Sequence, residues 1–454
     1  MAPVWRAIAR LVRALSRRSG RGGGTTLPGR LLLRADPGAL EHMAERLDDG
    51  VVLVSATNGK TTTSAMVAAI LERAGERVVH NRAGSNMGWG VATALLDAGR
   101  ERGQIGLFEV DEAWLPRVAA AVHPRTYLLS NLFRDQLDRY GELESLADGW
   151  AELVAADAGR ARFVLNADDP LIADLGRGRE DSVLLYGLDD DSHALPGLAH
   201  AADSKHCRNC GAPYTYEAVY MGHLGHYHCD NCGRARPAPA VVAERVQLEG
   251  MSGARVKLAT PHGPIEFRLP VPGLYNVYNA VAAAALALEL GASPEQVGGA
   301  LEGFGGSFGR VETIPVDGRP VSILLIKNPA GANEVLRTLT LEEGPADLWL
   351  ALNDGIADGR DVSWIWDADF EQLAGRVRHA TCSGTRAEEM ALRLKYAGIE
   401  AELHVDRDPE ASLDHAVAAG REDGAALYAL PTYTALLELR DLLARRGLAG
   451  RWAD

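Results

Sequence analysis

From residue 50 to about 200, short apolar runs alternate with helical stretches. V-V-L-V-S-A (51–56), V-V-H-N-R-A (78–83), I-G-L-F-E-V-D (105–111), T-Y-L-L-S-N-L (126–132), R-F-V-L-N-A-D (162–168) and S-V-L-L-Y-G (182–187) read as strands, and Thr62 to Ala74 reads as one of the helices between them. The alternation predicts an α/β domain with a parallel sheet covered by helices. Between about 200 and 238 the composition shifts to Cys, His, Tyr and Gly, which marks an insertion. Strand-like V-V-A-E-R-V-Q-L-E-G, A-R-V-K-L-A-T-P-H-G and P-I-E-F-R-L-P-V then lead into an Ala-rich helix over 276–291. After Arg310, strands at V-S-I-L-L-I-K-N, D-L-W-L-A-L-N-D, H-A-T-C-S-G, A-E-L-H-V and A-A-L-Y-A-L-P form a smaller α/β pattern. The expected organisation is a basic N-terminal segment (1–47), a central domain (48–312) interrupted by an insertion (203–238), and a C-terminal α/β domain (313–454).

Composition narrows the class. The chain has 454 residues, 47% hydrophobic and 24% charged, which suits a soluble globular protein of more than one domain. A net charge of -14 argues against nucleic acid as a partner. The start is a local exception: Arg6, Arg10, Arg13, Arg17, Arg18, Arg21 and Arg30 lie opposite Val4, Trp5, Ile8, Leu11, Val12 and Leu15 at helical spacing, until glycines from Gly20 break the helix. Two readings stand, a contact with an anionic lipid surface and a helix packed on its own domain with a solvated arginine face. Arginine interrupts every apolar core a secretory signal would need, and no run of 18 apolar residues exists. The expectation is a cytoplasmic protein, with the inner face of the plasma membrane as the surface such a helix would touch.

V-S-A-T-N-G-K-T-T-T follows a strand and opens a helix, the context that gives a phosphate loop its physical meaning. Backbone N–H groups over Thr57, Asn58 and Gly59 meet phosphate oxygens, Lys60 neutralises their charge, and Thr61 and Thr62 bring hydroxyls, that of Thr61 toward Mg²⁺. The common phosphate-loop pattern has glycine where Val54 stands, so the shorter T-x-G-K-T-T form fits better. A second Mg²⁺ ligand is expected from L-F-E-V-D-E, and Glu109, at the end of the apolar run, is the choice ahead of Asp111 and Glu112.

Cys207-x2-Cys210 and Cys229-x2-Cys232, each followed by glycine, indicate a tetrahedral structural Zn²⁺ ribbon. His206, His223, His226 and His228 are the competing ligands. Metal-type cysteine spacing points to a reducing compartment, and Cys382 reads as a small buried residue.

T-N-G-K-T-T, N-M-G (86–88), S-N-L-F-R-D-Q-L-D-R-Y-G (130–141), N-A-D-D-P (166–170), G-L-Y-N-V-Y-N-A (273–280) and G-R-V-E (309–312) occur in the order found in Mur ligases, which the chain resembles from residue 50 to 312. The resemblance implies ATP as substrate, Asn166, Asp168, Asn276 and Asn279 as nucleotide contacts, Arg310 on the phosphates, and carboxylate activation through an acyl phosphate. It also exposes departures. Gln136 stands where these ligases carry His, no lysine lies between Lys60 and Lys205, and Lys327 precedes Asn328-Pro329 where they carry an Asp-rich segment. An altered nucleophile is expected, with ammonia replacing an amino acid.

A last segment, N-D-G-I-A-D-G-R-D-V-S-W-I-W-D (353–367), gathers acids around two tryptophans. With the ligase core and the Cys₄ insertion it resembles the MurT family, which implies a Mur ligase-type central domain, a Rossmann-like C-terminal domain, and amidation of the D-glutamate α-carboxyl of lipid II with ammonia from a GatD-like glutaminase subunit. The resemblance makes Asp361 the acid offered to the partner's histidine, held by Trp364 and Trp366 on a strand-like S-W-I-W, with Asp358 and Asp354 in reserve. Two other functions stay open: a Mur-like ligase adding an amino acid to a cell-wall or folate-type substrate, and a zinc-ribbon ATP-binding adaptor without turnover.

Overall fold

A computed structural model describes residues 26–81, 85–98, 104–135, 143–157, 159–198, 202–305, 311–420 and 424–450. The basic start up to residue 25 lies outside them, as do Gln136 and Arg310. In chain order, the strands up to the insertion are β1 (Val51–Ser55), β2 (Arg77–His80), β3 (Gln104–Glu109), β4 (Thr126–Leu129), β5 (Arg162–Asn166) and β6 (Val183–Leu188). A two-stranded ribbon of β7 (Thr215–Met221) and β8 (Leu224–His228) follows, and then β9 (Val241–Leu248), β10 (Ala254–Ala259) and β11 (Ile265–Leu269) return to the core.

These form a nine-stranded sheet in the order β11-β10-β9-β6-β5-β4-β1-β3-β2. Strands β1 to β6 and β9 run parallel, whereas β10 is antiparallel to both its neighbours. Because successive side chains leave opposite faces of a strand, β1 serves two cores: Val52 and Val54 face the helices Lys60–Arg73 and Leu274–Glu289, and Val51 and Leu53 face the other layer. That other layer includes residues just before the sheet. Leu32, Leu40 and Met43, from the helices Leu27–Ala35 and Ala39–Ala44, pack with Val91 and Leu115 into it. On the first face, Ala280 and Ala282 to Ala285 are buried, and their small size lets the helix Leu274–Glu289 lie close to the helix Lys60–Arg73.

The second sheet has six strands, β12 (Val311–Val316), β13 (Arg319–Leu324), β14 (Ala346–Ala351), β15 (Val377–Ser383), β16 (Leu403–Val405) and β17 (Leu427–Pro431), ordered β12-β13-β17-β14-β15-β16. β12 is a strand the apolar pattern does not single out; it pairs antiparallel with β13 at the sheet edge, where Pro315 removes no needed donor. S-W-I-W is not a strand. Ser363–Trp366 forms a tight 3₁₀ turn, because the Asp361 carboxylate takes the Ser363 N–H at 2.9 Å and bends the chain at once. Only Ile365 of the four is fully buried, and Trp366 is 48% exposed, so it is no internal anchor. Among the described residues, no helix is long and apolar enough to cross a membrane.

Candidate ATP site and the groups around it

The phosphate loop leaves β1 at Ser55 and enters the helix Lys60–Arg73. Gly59 takes φ +88°, and an added Cβ there would come within 2.0 Å of Asn279 Oδ1, so glycine supplies the left-handed backbone and the room. The segment after β4 fastens the loop. Thr57 N–H donates to the Asn131 carbonyl at 3.0 Å, Asn58 N–H to Asn131 Oδ1 at 2.9 Å, and Asn131 Nδ2 returns a bond to the Asn58 carbonyl at 3.0 Å, so the two N–H groups expected to meet phosphate oxygens are taken up within the protein. Phe133 N–H donates to the Thr57 hydroxyl at 3.1 Å.

Lys60 is buried, with Nζ 2.7 Å from Glu112 Oε2, 3.5 Å from Asp111 Oδ1 and in contact with the Ala56 carbonyl. Burial opposes its charge, but Glu112, Asp111 and Glu109 outweigh that effect and hold the ammonium well above the ordinary lysine range. Glu112 shows the converse: burial pushes its carboxyl up, and Lys60 followed by Lys327 more than offset this, leaving it below its usual value.

Glu109 closes β3 beside Val54 of β1, and Asn81 grips its backbone from both sides at 3.0 and 2.9 Å. Thr61 is half-buried in the first turn of the helix. Its hydroxyl and the Glu109 carboxylate are oxygen donors of the kind Mg²⁺ takes. Asp111 accepts from Asn86 Nδ2 at 2.8 Å, and Glu112 is engaged by Lys60.

Asn279 accepts from the Thr63 hydroxyl at 3.2 Å and donates to Asn276 Oδ1 at 3.1 Å, which joins the helix Leu274–Glu289 to the phosphate-loop helix. Asn166 is buried at the end of β5 and accepts the Asp168 N–H at 3.0 Å. The Asp168 carboxylate is already occupied: Leu188 N–H at 2.9 Å, the Tyr278 hydroxyl at 2.7 Å and Arg236 Nε at 2.6 Å all donate to it. Its place is that of a clasp binding β6, the ribbon exit and the helix Leu274–Glu289.

Sequence reasoning missed the contribution of the C-terminal domain. Lys327 Nζ donates to the Thr57 carbonyl at 3.0 Å and to Asp135 Oδ2 at 2.7 Å, while the Asn58 and Asn328 amides exchange bonds at 3.2 and 2.9 Å. The available signal was a lone lysine just before an Asn-Pro helix start.

The four ribbon cysteines converge, with their sulfurs all within 4.8 Å of one another; the Cys207–Cys232 and Cys210–Cys229 pairs are 3.6 and 3.4 Å apart. A tetrahedron with Zn–S of about 2.3 Å has edges near ~3.8 Å, so the set could hold Zn²⁺. Gly211 and Gly233, both at positive φ, turn the two knuckles. Three neighbouring histidines lie beside carboxylates, His228 3.1 Å from Asp230, His226 3.1 Å from Asp189 and His223 3.3 Å from Asp169, while the backbone of His206 bridges to Pro213.

In the acidic loop, Asp358 accepts twice from Thr434, and Asp354 accepts from the Thr385 hydroxyl at 2.8 Å and from Arg386 at 3.2 Å. Asp361 is exposed, and the Ser363 hydroxyl and N–H hold its carboxyl below the usual range.

Residues 54–287 match the family Mur ligase middle domain, and residues 325–436 match MurT ligase C-terminal. The lipid II isoglutaminyl synthase (glutamine-hydrolyzing) subunit MurT of Staphylococcus aureus (strain N315) is 34% identical over 97% of this chain and 98% of its own length. The subunit of the same name from Streptococcus pneumoniae is 33% identical over 94% of this chain and 93% of its own. A pseudomurein peptide ligase type C from Methanothermus fervidus shares the fold, with a TM-score of 0.67 at 22% identity over 87% of this chain and 78% of that one. Folylpolyglutamate synthase of Mycobacterium tuberculosis also aligns, with a TM-score of 0.62 at 15% identity over 93% of this chain and 98% of its own. The chain therefore belongs to the family of MurT subunits of the glutamine-hydrolysing lipid II isoglutaminyl synthase, ligases built on the Mur ligase fold.

Proposed function

We propose that the chain is the ATP-dependent synthase subunit that converts the D-glutamate α-carboxyl of the lipid II stem peptide to the amide of D-isoglutamine, in cell-wall synthesis at the inner face of the membrane. The observation that carries this reading is the 34% identity extending over 97% of the chain to a subunit of that named activity. A carboxylate oxygen attacks the γ-phosphorus and ADP leaves. The ammonia lone pair then attacks the acyl carbon, the acyl C–O bond breaks to release phosphate, and a proton leaves nitrogen. Lys60, the N–H groups of Gly59 and Lys60, and Arg310 stabilise the transferred phosphoryl charge, a role that needs no protein nucleophile. Asn166, Asp168, Asn276 and Asn279 shape the nucleotide pocket, Asn279 beside the loop and Asp168 through its clasp. Thr61 and Glu109 would hold Mg²⁺, which supplies charge neutralisation on the phosphates when bound. The four ribbon thiolates would hold Zn²⁺ as a structural staple.

Ammonia comes from a GatD-like glutaminase subunit docked on the C-terminal domain, and Asp361 orients that subunit's histidine. Apolar surface near this acid supports the docking: Trp366 meets Tyr396 edge-on at 5.6 Å, and Leu392, one turn away, and Ile356, in the acidic loop, are also exposed. The test supplies the full chain with lipid II, ATP, Mg²⁺ and concentrated ammonium chloride, with mass spectrometry of the stem peptide. Conversion of the carboxyl to a carboxamide is expected; an unchanged stem peptide would overturn the reading.

A further inference from the structure

The contacts between the start of the C-terminal domain and the phosphate loop have a specific geometry. The Thr57 carbonyl and the Asn58 N–H belong to one rigid peptide plane. Lys327 Nζ holds the carbonyl end at 3.0 Å and Asn131 Oδ1 holds the N–H end at 2.9 Å. With both ends gripped, the peptide that leads into the next N–H groups, those of Gly59 and Lys60, is oriented jointly by Asn131 of its own domain and Lys327 of the other. Asn328 adds a second grip, since its amide and that of Asn58 exchange bonds at 3.2 and 2.9 Å. Its Oδ1 also caps the helix Pro329–Thr340 by accepting the Gly331 N–H at 2.9 Å, so a shift of that helix moves Asn58. Asp135, 2.7 Å from Lys327 Nζ, aims the ammonium.

We propose that Lys327 and Asn328 are positioning residues for the ATP-dependent step: a latch through which seating of the C-terminal domain holds the phosphate loop in its phosphate-binding shape. This rests on the ligase reading and adds a route by which the domain carrying Asp361 acts on the ATP site. Consecutive residues of one domain hold consecutive residues of the other, so the holds that Asn131 and Phe133 provide are completed only when the two domains meet. The latch has no part in the capture of ammonia.

Lys327→Met, Lys327→Arg and Asn328→Ala in the full-length chain test it. Three readouts apply: hydrogen–deuterium exchange of the segment 52–62, affinity for the ATP analogue AMPPNP with MgCl₂, and the KM values of ammonia-driven amidation. Lys327→Met and Asn328→Ala are expected to speed exchange of the loop amides by about tenfold and to raise the AMPPNP Kd and the KM for ATP by about tenfold, as befits loss of a charge-assisted or paired hydrogen bond. The KM for ammonium stays unchanged, and Lys327→Arg recovers most of the effect. Loop exchange and AMPPNP affinity within about twofold of the parent in both variants would sink the latch. Should Lys327→Met not fold, as judged by its melt, Asn328→Ala decides alone. A parent chain that makes no carboxamide would refute the ligase reading, while loop exchange in the variants would still report on the latch.

Discussion

Asp358 receives both the backbone N–H and the hydroxyl of Thr434, at 2.7 and 2.5 Å, where the helix Tyr433–Arg445 begins. This pair ties the acidic loop to the last helix and separates the roles of its acids. Asp358 is a buried fastener, and Asp361 is the carboxylate displayed to solvent. Asp358→Ala leaves two donors unsatisfied and should cost about 1–3 kcal/mol in denaturant melts. It should lower glutamine-driven and ammonia-driven turnover together, because the whole loop loses its seat.

Asp361→Asn should behave differently. Among the described residues its partner is the neighbouring Ser363, so the melting midpoint should stay put. Glutamine-driven amidation by the complex should fall on the order of 10²-fold or more, as when the orienting acid of a catalytic histidine is neutralised, with ammonia-driven amidation retained. Equal loss with both nitrogen sources would place Asp361 in folding or in the ligase site.

Removing the Lys60 charge should be severe. Lys60→Met strands Glu112 and Asp111 in the interior, at a cost of about 3–5 kcal/mol near neutral pH. The pH dependence should change sign. In the parent, Glu112 lies below its unfolded value, so its contribution is present above the usual carboxylate range and fades as pH falls. Without Lys60, burial dominates and raises that carboxyl, so the variant should regain stability as pH falls. Thermal melts from pH 5 to 8 would show it; a pH-independent deficit would contradict the argument.

Glu334 on the helix Pro329–Thr340 is buried, which pushes its carboxyl up to about 7, and Arg337 offsets only part of this. A raised acid costs the folded state progressively as pH climbs from the unfolded carboxylate value toward 7. Glu334→Gln should therefore raise the melting temperature at pH 8 and leave it nearly unchanged at pH 4. Equal shifts at both pH values would mean that packing, and not charge, is at work there.

Cys229→Ser should remove bound zinc from the purified chain, as measured by metal analysis, and lower its melting temperature. The ribbon is fastened at Asp168, through the Gly225 N–H to its carbonyl at 3.0 Å and through Arg236 to its carboxylate. Loosening the ribbon should therefore also weaken AMPPNP binding, which a titration would reveal. Full zinc content and an unchanged melt in the variant would mean that Cys229 is no ligand, and a parent chain without zinc would mean that the sulfurs hold no metal.

Much of this was legible in the sequence because it is local. Apolar runs of strand length, a glycine before Lys60 and paired C-x-x-C-G knuckles are set by backbone preference and by chemistry within a few residues, so β1 to β6, the phosphate loop and the ribbon could be read directly. S-W-I-W misled because large residues at alternate positions resemble a strand, while the competing local bond from Asp361 to the Ser363 N–H is invisible to periodicity. β12 escaped because an edge strand is defined by its partner more than by its own composition.

What only the tertiary structure decided is which polar groups meet. The sequence supplied Asn58, Asp168 and Lys327 as single letters at distant positions. Packing of the two sheets brought Lys327 and Asn328 to the phosphate loop, spent the Asp168 carboxylate on Arg236 and Tyr278, and left Asp361 facing solvent while Asp358 was buried. The physical reason is range. Hydrophobic patterning acts along the chain and fixes the elements, whereas hydrogen bonds and charges act over a few ångströms of space, and their partners exist only once the elements have been assembled.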